Sequence, residues 1–275
     1  MRLPLALLTV AGLVAATAIA AQPGSSATPP AATPIAAPQP AAPAAIPVPD
    51  MPIVKKTELS DGIIAEDMKI GEGFEIPEGG AVVCHYHGTL KEGGKKFDSS
   101  YERGEPIAFP LSGVIPGWQK GVPGMKVGGI RKLTIPAAMA YGERGAGADI
   151  PPNSDLIFII EVVDAVQIVD TKVGEGEAAS GQCVAVAATV VKDAEGKEVE
   201  KADAAHPYIW IPGELQGLTF GLEGMKVGGK RTIKIPKQMN PPVPGLESKR
   251  PPNVALTVEL ELIAVRNLPG GGRRR

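Results

Sequence analysis

The chain has few aromatic residues and little net charge, and both shortages limit what it can do. It contains two tryptophans, four tyrosines and five phenylalanines, or 4% of 275 residues. A formal net charge of -2 gives the bulk protein no electrostatic reason to bind nucleic acid or an acidic surface. The length leaves room for about two domains of ordinary size.

Cysteine and histidine are also scarce: the chain has two cysteines and three histidines. Cys84 and Cys183 fall on inward-facing positions of predicted strands, so we expect two buried, unpaired thiols. His85 and His87 could share a metal, but no third ligand is near them in sequence, and solvated or sheet-covering histidines are favoured. No convincing Ser–His–Asp or Cys–His set is present, so the sequence predicts no metal and no cofactor.

The N-terminus resembles an export signal. Met1-Arg2 precedes an apolar run, Leu3–Ile19, and Ala18-Ile19-Ala20 offers a small-x-small cleavage site. We expect residues 1–21 to be a signal peptide of an exported protein, in the periplasm, the cell envelope or outside the cell. An uncleaved membrane anchor is the alternative, and it would be the only membrane contact.

Two further segments have the composition of unfolded chain. Residues 22–52 are rich in alanine and proline, carry no charge before Asp50, and are predicted to form a disordered, semi-stiff spacer. Residues 267–275 end in three arginines after three glycines and are predicted to form a flexible basic tail.

From Ile53 onward the pattern is that of folded protein. Strands are predicted at Ile63–Ile70, Val82–Leu90, Gly129–Ile135 and Leu156–Val163, the last buried on both faces. One short helix is predicted at Pro116–Val122, since proline suits the first helical turn. Several strands and one helix indicate an α+β fold in which an antiparallel β-sheet wraps around a short α-helix.

An internal repeat doubles this fold. Gly-Met-Lys-Val-Gly-Gly occurs at Gly124–Gly129 and again at Gly224–Gly229, and Pro-Pro-Asn occurs at Pro151–Asn153 and Pro251–Asn253. We therefore expect two tandem copies, at residues 53–168 and 169–266. Almost no linker separates them, so the domains are expected to touch.

The scarce aromatic residues gather in the first copy. Six of them stand at turns and strand ends, between polar residues and glycines, which favours a lined pocket over regular core packing. They are Tyr86, Phe97, Phe109, Trp118, Tyr141 and Phe158.

Five separated motifs carry a family resemblance. His-Tyr-His-Gly, Phe-Asp-Ser-Ser, Val-Ile-Pro-Gly-Trp, Tyr-Gly and Ile-Pro-Pro through Phe158 follow one another between about Thr57 and Ala165. In this order and spacing they resemble the FKBP-type peptidyl-prolyl cis-trans isomerases, bacterial members above all. The resemblance implies an isomerase acting on proline-containing unfolded or nascent exported polypeptides.

The resemblance also implies a role for each residue. Trp118 would be the floor under the proline ring, and the Ile115 N–H and the Tyr141 hydroxyl would hold substrate carbonyls. Asp98 would accept a hydrogen bond from Tyr86 and present its carboxylate near the twisting amide. The implied catalytic residues are Tyr86, Phe97, Asp98, Trp118, Tyr141 and Phe158; the implied substrate-binding residues are Ile107, Phe109, Val114, Ile115 and Ile150.

Two positions depart from the family pattern. Ile107 stands where an aromatic residue is frequent, and Asp149 places a charge at the pocket rim. The resemblance therefore implies no particular preference for the residue before proline.

The second copy has lost the pocket rings. Ala187, Val199, Leu218 and Val258 stand where the first copy has Tyr86, Phe97, Trp118 and Phe158, so we expect a fold without an isomerase site. Its own aromatics are expected to pack in the core rather than form another binding patch (Tyr208, Trp210, Phe220). Activity is therefore expected to remain when Val169–Arg275 is removed. The alternative function is a non-catalytic client-binding module, or holdase, that uses both domains.

Overall fold

The computed structural model of the protein describes residues 43–180, 183–242 and 250–268. The predicted signal peptide, most of the predicted spacer and residues 269–275 of the predicted tail lie outside these ranges. No helix among the described residues is long and apolar enough to cross a membrane.

The first domain, as described from residue 55 to 165, is an antiparallel sheet of seven strands. Their order is β1-β2-β6-β7-β3-β4, and β5 pairs with β3 outside that path. The strands are β1 (Lys55–Glu58), β2 (Ile64–Lys69), β3 (Ala81–Leu90), β4 (Lys96–Ser99), β5 (Ile107–Pro110), β6 (Ile130–Ile135) and β7 (Leu156–Ala165); the helices are α1 (Ser100–Arg103) and α2 (Pro116–Gly121). Four 3-10 turns join them, at Ser60–Gly62, Leu111–Gly113, Ala137–Met139 and Gly142–Arg144.

Helix α2 packs closely on the sheet because its glycines have no side chain to hold the helix away from the strands. A Cβ on Gly117 would lie 2.3 Å from Ile135 Cγ2. The helix begins at Pro116, as predicted, and buries Trp118 between itself and the strands. The sheet and this helix enclose one apolar core, and the pocket opens from it.

Strand β7 is central, but only one of its faces is fully covered. Leu156, Phe158, Ile160 and Val162 are buried, while Val163 is 40% exposed. The prediction of burial on both faces is wrong for this strand. Helix α2 covers only the inner face of the sheet, so alternate residues of β7 remain partly open to solvent.

The second domain repeats this architecture. Within its described residues the strands are ordered β10-β9-β13-β12-β8, and β11 pairs with β9. The elements are β8 (Gln167–Lys172), β9 (Cys183–Lys192), β10 (Glu198–Ala202), β11 (Tyr208–Trp210), α3 (Gln216–Gly221), β12 (Lys230–Ile235), a 3-10 turn (Lys237–Met239) and β13 (Leu256–Asn267). The prediction of an α+β fold present twice is confirmed. The boundary predicted between residues 168 and 169 falls inside β8.

The predicted spacer is too long at its C-terminal end. The Ile46 N–H donates to the Tyr101 carbonyl at 2.8 Å. The Ala44 carbonyl packs so closely on Gly104 that a Cβ added to this glycine would lie 2.3 Å from the carbonyl oxygen. Residues 43–46 therefore lie against α1 of the first domain. The cause is local, because Gly104 takes a φ of 71° and leaves space for the incoming chain.

The two domains touch, as predicted, and belong to one compact unit. Ala81, Val83 and Val166 of the first domain are buried in the same apolar cluster as the core of the second. Removing the second domain would expose these side chains. A chain that ends at residue 168 is expected to keep its activity, but it would expose an apolar surface that the second domain covers in the full chain.

Both thiols are free and buried, at Cys84 and Cys183, and burial raises the pKa of each. His85 is also buried, stacked on Tyr101 at 4.8 Å between ring centroids. Its Nδ1 lies 3.2 Å from the Ser100 hydroxyl. Helix α1 thus covers this part of the outer face of the sheet, and His85 is a sheet-covering residue.

Protonation of His85 and His87 is expected to destabilise the protein in mild acid. Burial lowers the pKa of both His85 and His87 below 6.5, so the unfolded chain binds protons more readily than the folded one. Stability should therefore decrease as the pH falls below about 6.5. The urea midpoint is expected to be lower at pH 5.5 than at pH 7.5. The difference between the two midpoints should be smaller in a double variant that carries His85→Gln and His87→Gln. An equal pH response in the variant would assign the effect to other groups.

Candidate active site

A cavity of about 560 Å³ opens on the first domain, over α2. It collects residues from five strands and helices and from the loops between them. Ten of the eleven residues singled out in the sequence line it: Tyr86, Phe97, Asp98, Phe109, Val114, Ile115, Trp118, Tyr141, Ile150 and Phe158; the others are Gly113, Ala146 and Asp149.

Trp118 is the centre of the aromatic cluster. Its ring centroid lies 5.8 Å from Tyr86, 5.7 Å from Phe109 and 5.3 Å from Phe158, each ring meeting it edge to face. Such contacts are favourable beyond the area that they bury. With only 4% of its surface exposed, Trp118 forms a fixed apolar floor.

The walls are more open than the floor. Phe97 contacts Phe158 at 5.5 Å between centroids and is only partly buried. Its ring reaches this position because Gly88 lies beneath it: a Cβ there would stand 2.6 Å from the Phe97 ring and 3.0 Å from Phe158. The glycine of the His-Tyr-His-Gly motif is therefore needed to place one pocket wall.

The polar edge of the cavity is a hydrogen-bonded triad. Tyr86 Oη donates to Asp98 Oδ2. Arg103 donates from one guanidinium nitrogen to Asp98 Oδ1 at 2.6 Å and from another to Tyr86 Oη at 2.9 Å. Burial alone would raise the pKa of Asp98, but the hydrogen bonds from Tyr86 and Arg103 outweigh it and lower the pKa. Burial, aided by the hydrogen bond to Asp98, raises the pKa of Tyr86 to about 12.

Arg103 was not predicted from the sequence. It ends α1, five residues after Asp98, and its guanidinium also lies 5.7 Å from the centroid of the Tyr86 ring. An acid followed by a base at this spacing is a weak signal. Only the turn of chain between β4 and the end of α1 brings the two side chains together.

The triad predicts a broad pH optimum. The pKa of Asp98 lies below 3.8 and that of Tyr86 is about 12, so neither changes charge between about pH 5 and pH 9. We expect kcat/KM for a proline peptide to be flat over that range. Arg103→Gln removes a bond that lowers the pKa of Asp98, so the acid limb should move to higher pH. An unmoved acid limb in Arg103→Gln would count against a titrating Asp98.

The mouth of the cavity is formed by the loop that leads into β7. Tyr141 projects here and is 40% exposed. The loop is tied down by the Asp155 carboxylate, which accepts from the Ala137 N–H at 3.0 Å. Asp149 lines the cavity, as expected, and its exposed carboxylate pairs with Lys95 at 3.0 Å.

Ile107 is the predicted residue that does not line the cavity. It pairs with Cys84 in the sheet and packs, partly buried, against the first core. Isoleucine reaches less far from the strand than an aromatic side chain would. The next residue on the same face of β5, Phe109, is the one that reaches Trp118.

The corresponding place in the second domain is filled by its own side chains. The prediction that Ala187 replaces Tyr86 is wrong: Thr189 lies opposite Leu260 in the sheet as Tyr86 lies opposite Ile160, so Thr189 is the counterpart of Tyr86. Leu218 and Val258, at the positions of Trp118 and Phe158, are buried in one cluster with Trp210.

Trp210 stands opposite Ala185 as Phe109 stands opposite Val82, so the second domain retains an aromatic side chain at the position of Phe109, contrary to the prediction that it lost all the pocket rings. The Trp210 indole N–H donates to the Thr189 hydroxyl at 3.2 Å. The prediction that these aromatics pack in the core is confirmed, since Trp210 is buried and Tyr208 and Phe220 pack against the same cluster.

An ion cluster closes the same region. Arg250 precedes the second Pro-Pro-Asn motif, as Ile150 precedes the first. Its guanidinium pairs with Glu200 at 2.9 Å and with Glu214 at 2.6 Å, and lies 4.8 Å from the Trp210 ring centroid. Glu214 stands where the first domain has the pocket residue Val114. A proline-sized apolar niche has thus been replaced by a charged, packed interior.

The first-domain cavity is suited to hold an apolar ring and to orient a neighbouring amide. Rings surround the floor, and the Ile115 N–H belongs to the start of α2, where the first N–H groups have no intrahelical partner. Such a site is typical of a protein that binds proline within a peptide.

Comparisons with known proteins agree with this class. A sequence profile of the FKBP-type peptidyl-prolyl cis-trans isomerases matches residues 73–163 and 174–263, which is more than half of the chain. The chain therefore belongs to the FKBP-type peptidyl-prolyl cis-trans isomerase family, and it is an isomerase of X–Pro peptide bonds.

Individual relatives match about one domain. A probable FK506-binding protein of Corynebacterium glutamicum is 48% identical over 38% of this chain and 88% of its own length. The peptidyl-prolyl cis-trans isomerase FPR2 of Saccharomyces cerevisiae is 57% identical over 36% of this chain and 81% of its own. The crystal structure of FkpA from Escherichia coli aligns with 44% identity over 40% of this chain and 51% of that one, with a TM-score of 0.38.

Proposed function

We propose that the cavity around Trp118 is the isomerase site and that the second domain carries no such activity. The observation that supports this is the convergence on one first-domain cavity of ten residues that lie in separate motifs of the sequence and that the family resemblance implied. The residues at the corresponding place in the second domain form a buried ion cluster.

The proposed mechanism uses desolvation. Rotation about an X–Pro bond must cross about 18–20 kcal/mol, because the C–N bond has partial double-bond character. Twisting the bond removes the resonance and makes the amide less polar. An apolar, water-poor cavity therefore favours the twisted amide over the planar one, whose carbonyl is better solvated in water.

Each group has a distinct task in this scheme. Trp118 supports the proline ring, while the Ile115 N–H and the Tyr141 hydroxyl donate to substrate carbonyls and fix the peptide around the rotating bond. Asp98 has both oxygens engaged by Tyr86 and Arg103. It thus holds the Tyr86 wall in place, and it presents a largely neutralised carboxylate to the amide.

We further propose that the substrates are unfolded or nascent exported polypeptides. The support is the sequence of residues 1–21, which has the layout of an export signal. Nothing observed favours the alternative of a non-catalytic holdase that uses both domains.

A proline-peptide assay tests the proposal, with Tyr141→Phe as the probe of one contact. Wild type should accelerate cis-trans exchange. Tyr141→Phe should lose roughly twofold to tenfold in kcat/KM, since one hydrogen bond contributes about 0.5–1.5 kcal/mol. A wild-type protein that suppresses aggregation of an unfolded client but gives no rate gain would overturn the proposal in favour of the holdase.

A further inference from the structure

The two faces of strand β5 pack against different hydrophobic cores, one in each domain. Its Phe109 pairs with Val82, and both side chains face the first core, where Phe109 forms a pocket wall. The neighbouring Ala108 pairs with Val83 on the opposite face. Val83 is fully buried in the cluster of the second domain, and Ala108 packs against that cluster.

Strand β5 has little support from its own domain. It is four residues long and, among the described strands, pairs only with β3. So short a strand with a single neighbour is marginal without packing on its faces. The opposite face of β5 is covered by the second domain.

The covering element is the 3-10 turn Lys237–Met239, which contacts β5. Met239 is fully buried and belongs to the same cluster as Val83. The equivalent turn of the first domain, Ala137–Met139, leads to the pocket residue Tyr141. In the second domain no tyrosine follows the turn, and the turn lies against β5.

We propose that the second domain positions the pocket of the first, with Met239 acting through β5 on Phe109. Phe109 contacts Tyr86 at 5.8 Å and Trp118 at 5.7 Å between centroids. A shift of β5 would therefore move one wall away from the proline ring. Met239 is a positioning residue for the reaction, and the inference rests on the proposed isomerase site.

The test compares two methionines of the second domain in the full chain. Met239 follows β12 and Met225 precedes it, so the two residues lie beyond opposite ends of a six-residue strand about 20 Å long. Both are buried in the second core, at 0% and 2% exposure. Met239→Ala and Met225→Ala delete the same atoms and should lower the melting temperature to a similar extent.

Met239→Ala is expected to lower kcat/KM five- to tenfold, mainly by raising KM, while Met225→Ala stays within twofold of wild type. Met239→Leu, which refills the volume, should restore activity. Equal effects of the two alanine variants on kcat/KM, or no effect of either, would overturn the inference. If Met239→Ala does not fold, Met239→Val and Met225→Val make the same comparison. An inactive wild type would instead refute the proposed function, so the two failures are distinguishable.

Discussion

Replacing Trp118 by leucine is expected to lower kcat/KM for a proline peptide about tenfold or more. The three ring methylenes of proline are worth about 0.8 kcal/mol each when buried, or roughly 2.4 kcal/mol together. Removing the indole takes away about half of that burial and also loosens the edge contacts with Tyr86, Phe109 and Phe158. A loss of about 1.4 kcal/mol corresponds to tenfold in rate.

The second domain provides a matched control. Trp210 is as deeply buried as Trp118, at 1% against 4% exposure, and Leu218 shows that leucine is accepted at the position equivalent to Trp118. Trp210→Leu should reduce the free energy of unfolding yet leave kcat/KM within about twofold. Comparable losses of activity in the two variants would mean that the cavity around Trp118 is not the reacting site.

Replacing Arg250 by methionine is expected to reduce the free energy of unfolding by about 3–5 kcal/mol, because it leaves buried carboxylates without their cation. The Arg250 side chain is 4% exposed, and its partners Glu214 and Glu200 are 4% and 15% exposed. Urea denaturation followed by circular dichroism measures the loss.

A compensated variant isolates the charge effect. Adding Glu200→Gln and Glu214→Gln to Arg250→Met removes both stranded charges, and this triple variant should recover part of the lost stability. A free energy of unfolding of Arg250→Met within about 1 kcal/mol of wild type would show that the cluster is solvated and does not form a closed interior.

The pocket could be predicted from sequence because its residues stand in short motifs of unusual composition. Scarce rings beside glycines and prolines marked Tyr86, Trp118 and Phe158, and the 100-residue repeat marked the second domain. Arg103 and the failure of Ile107 to line the cavity could not be predicted. Both depend on where a side chain reaches across the sheet, and no local pattern encodes that distance.

The sequence by itself determined the fold class, its duplication and the loss of most of the pocket aromatics from the second copy, since each follows from local pattern and repeat spacing. Only the tertiary structure decided what replaced those residues and what the second domain covers. Arg250, Glu200 and Glu214 are far apart in the chain, and Val83 is buried by a domain that begins more than eighty residues later. Such contacts arise when strands pair and domains pack, and they bury groups whose local sequence gives no sign of a partner.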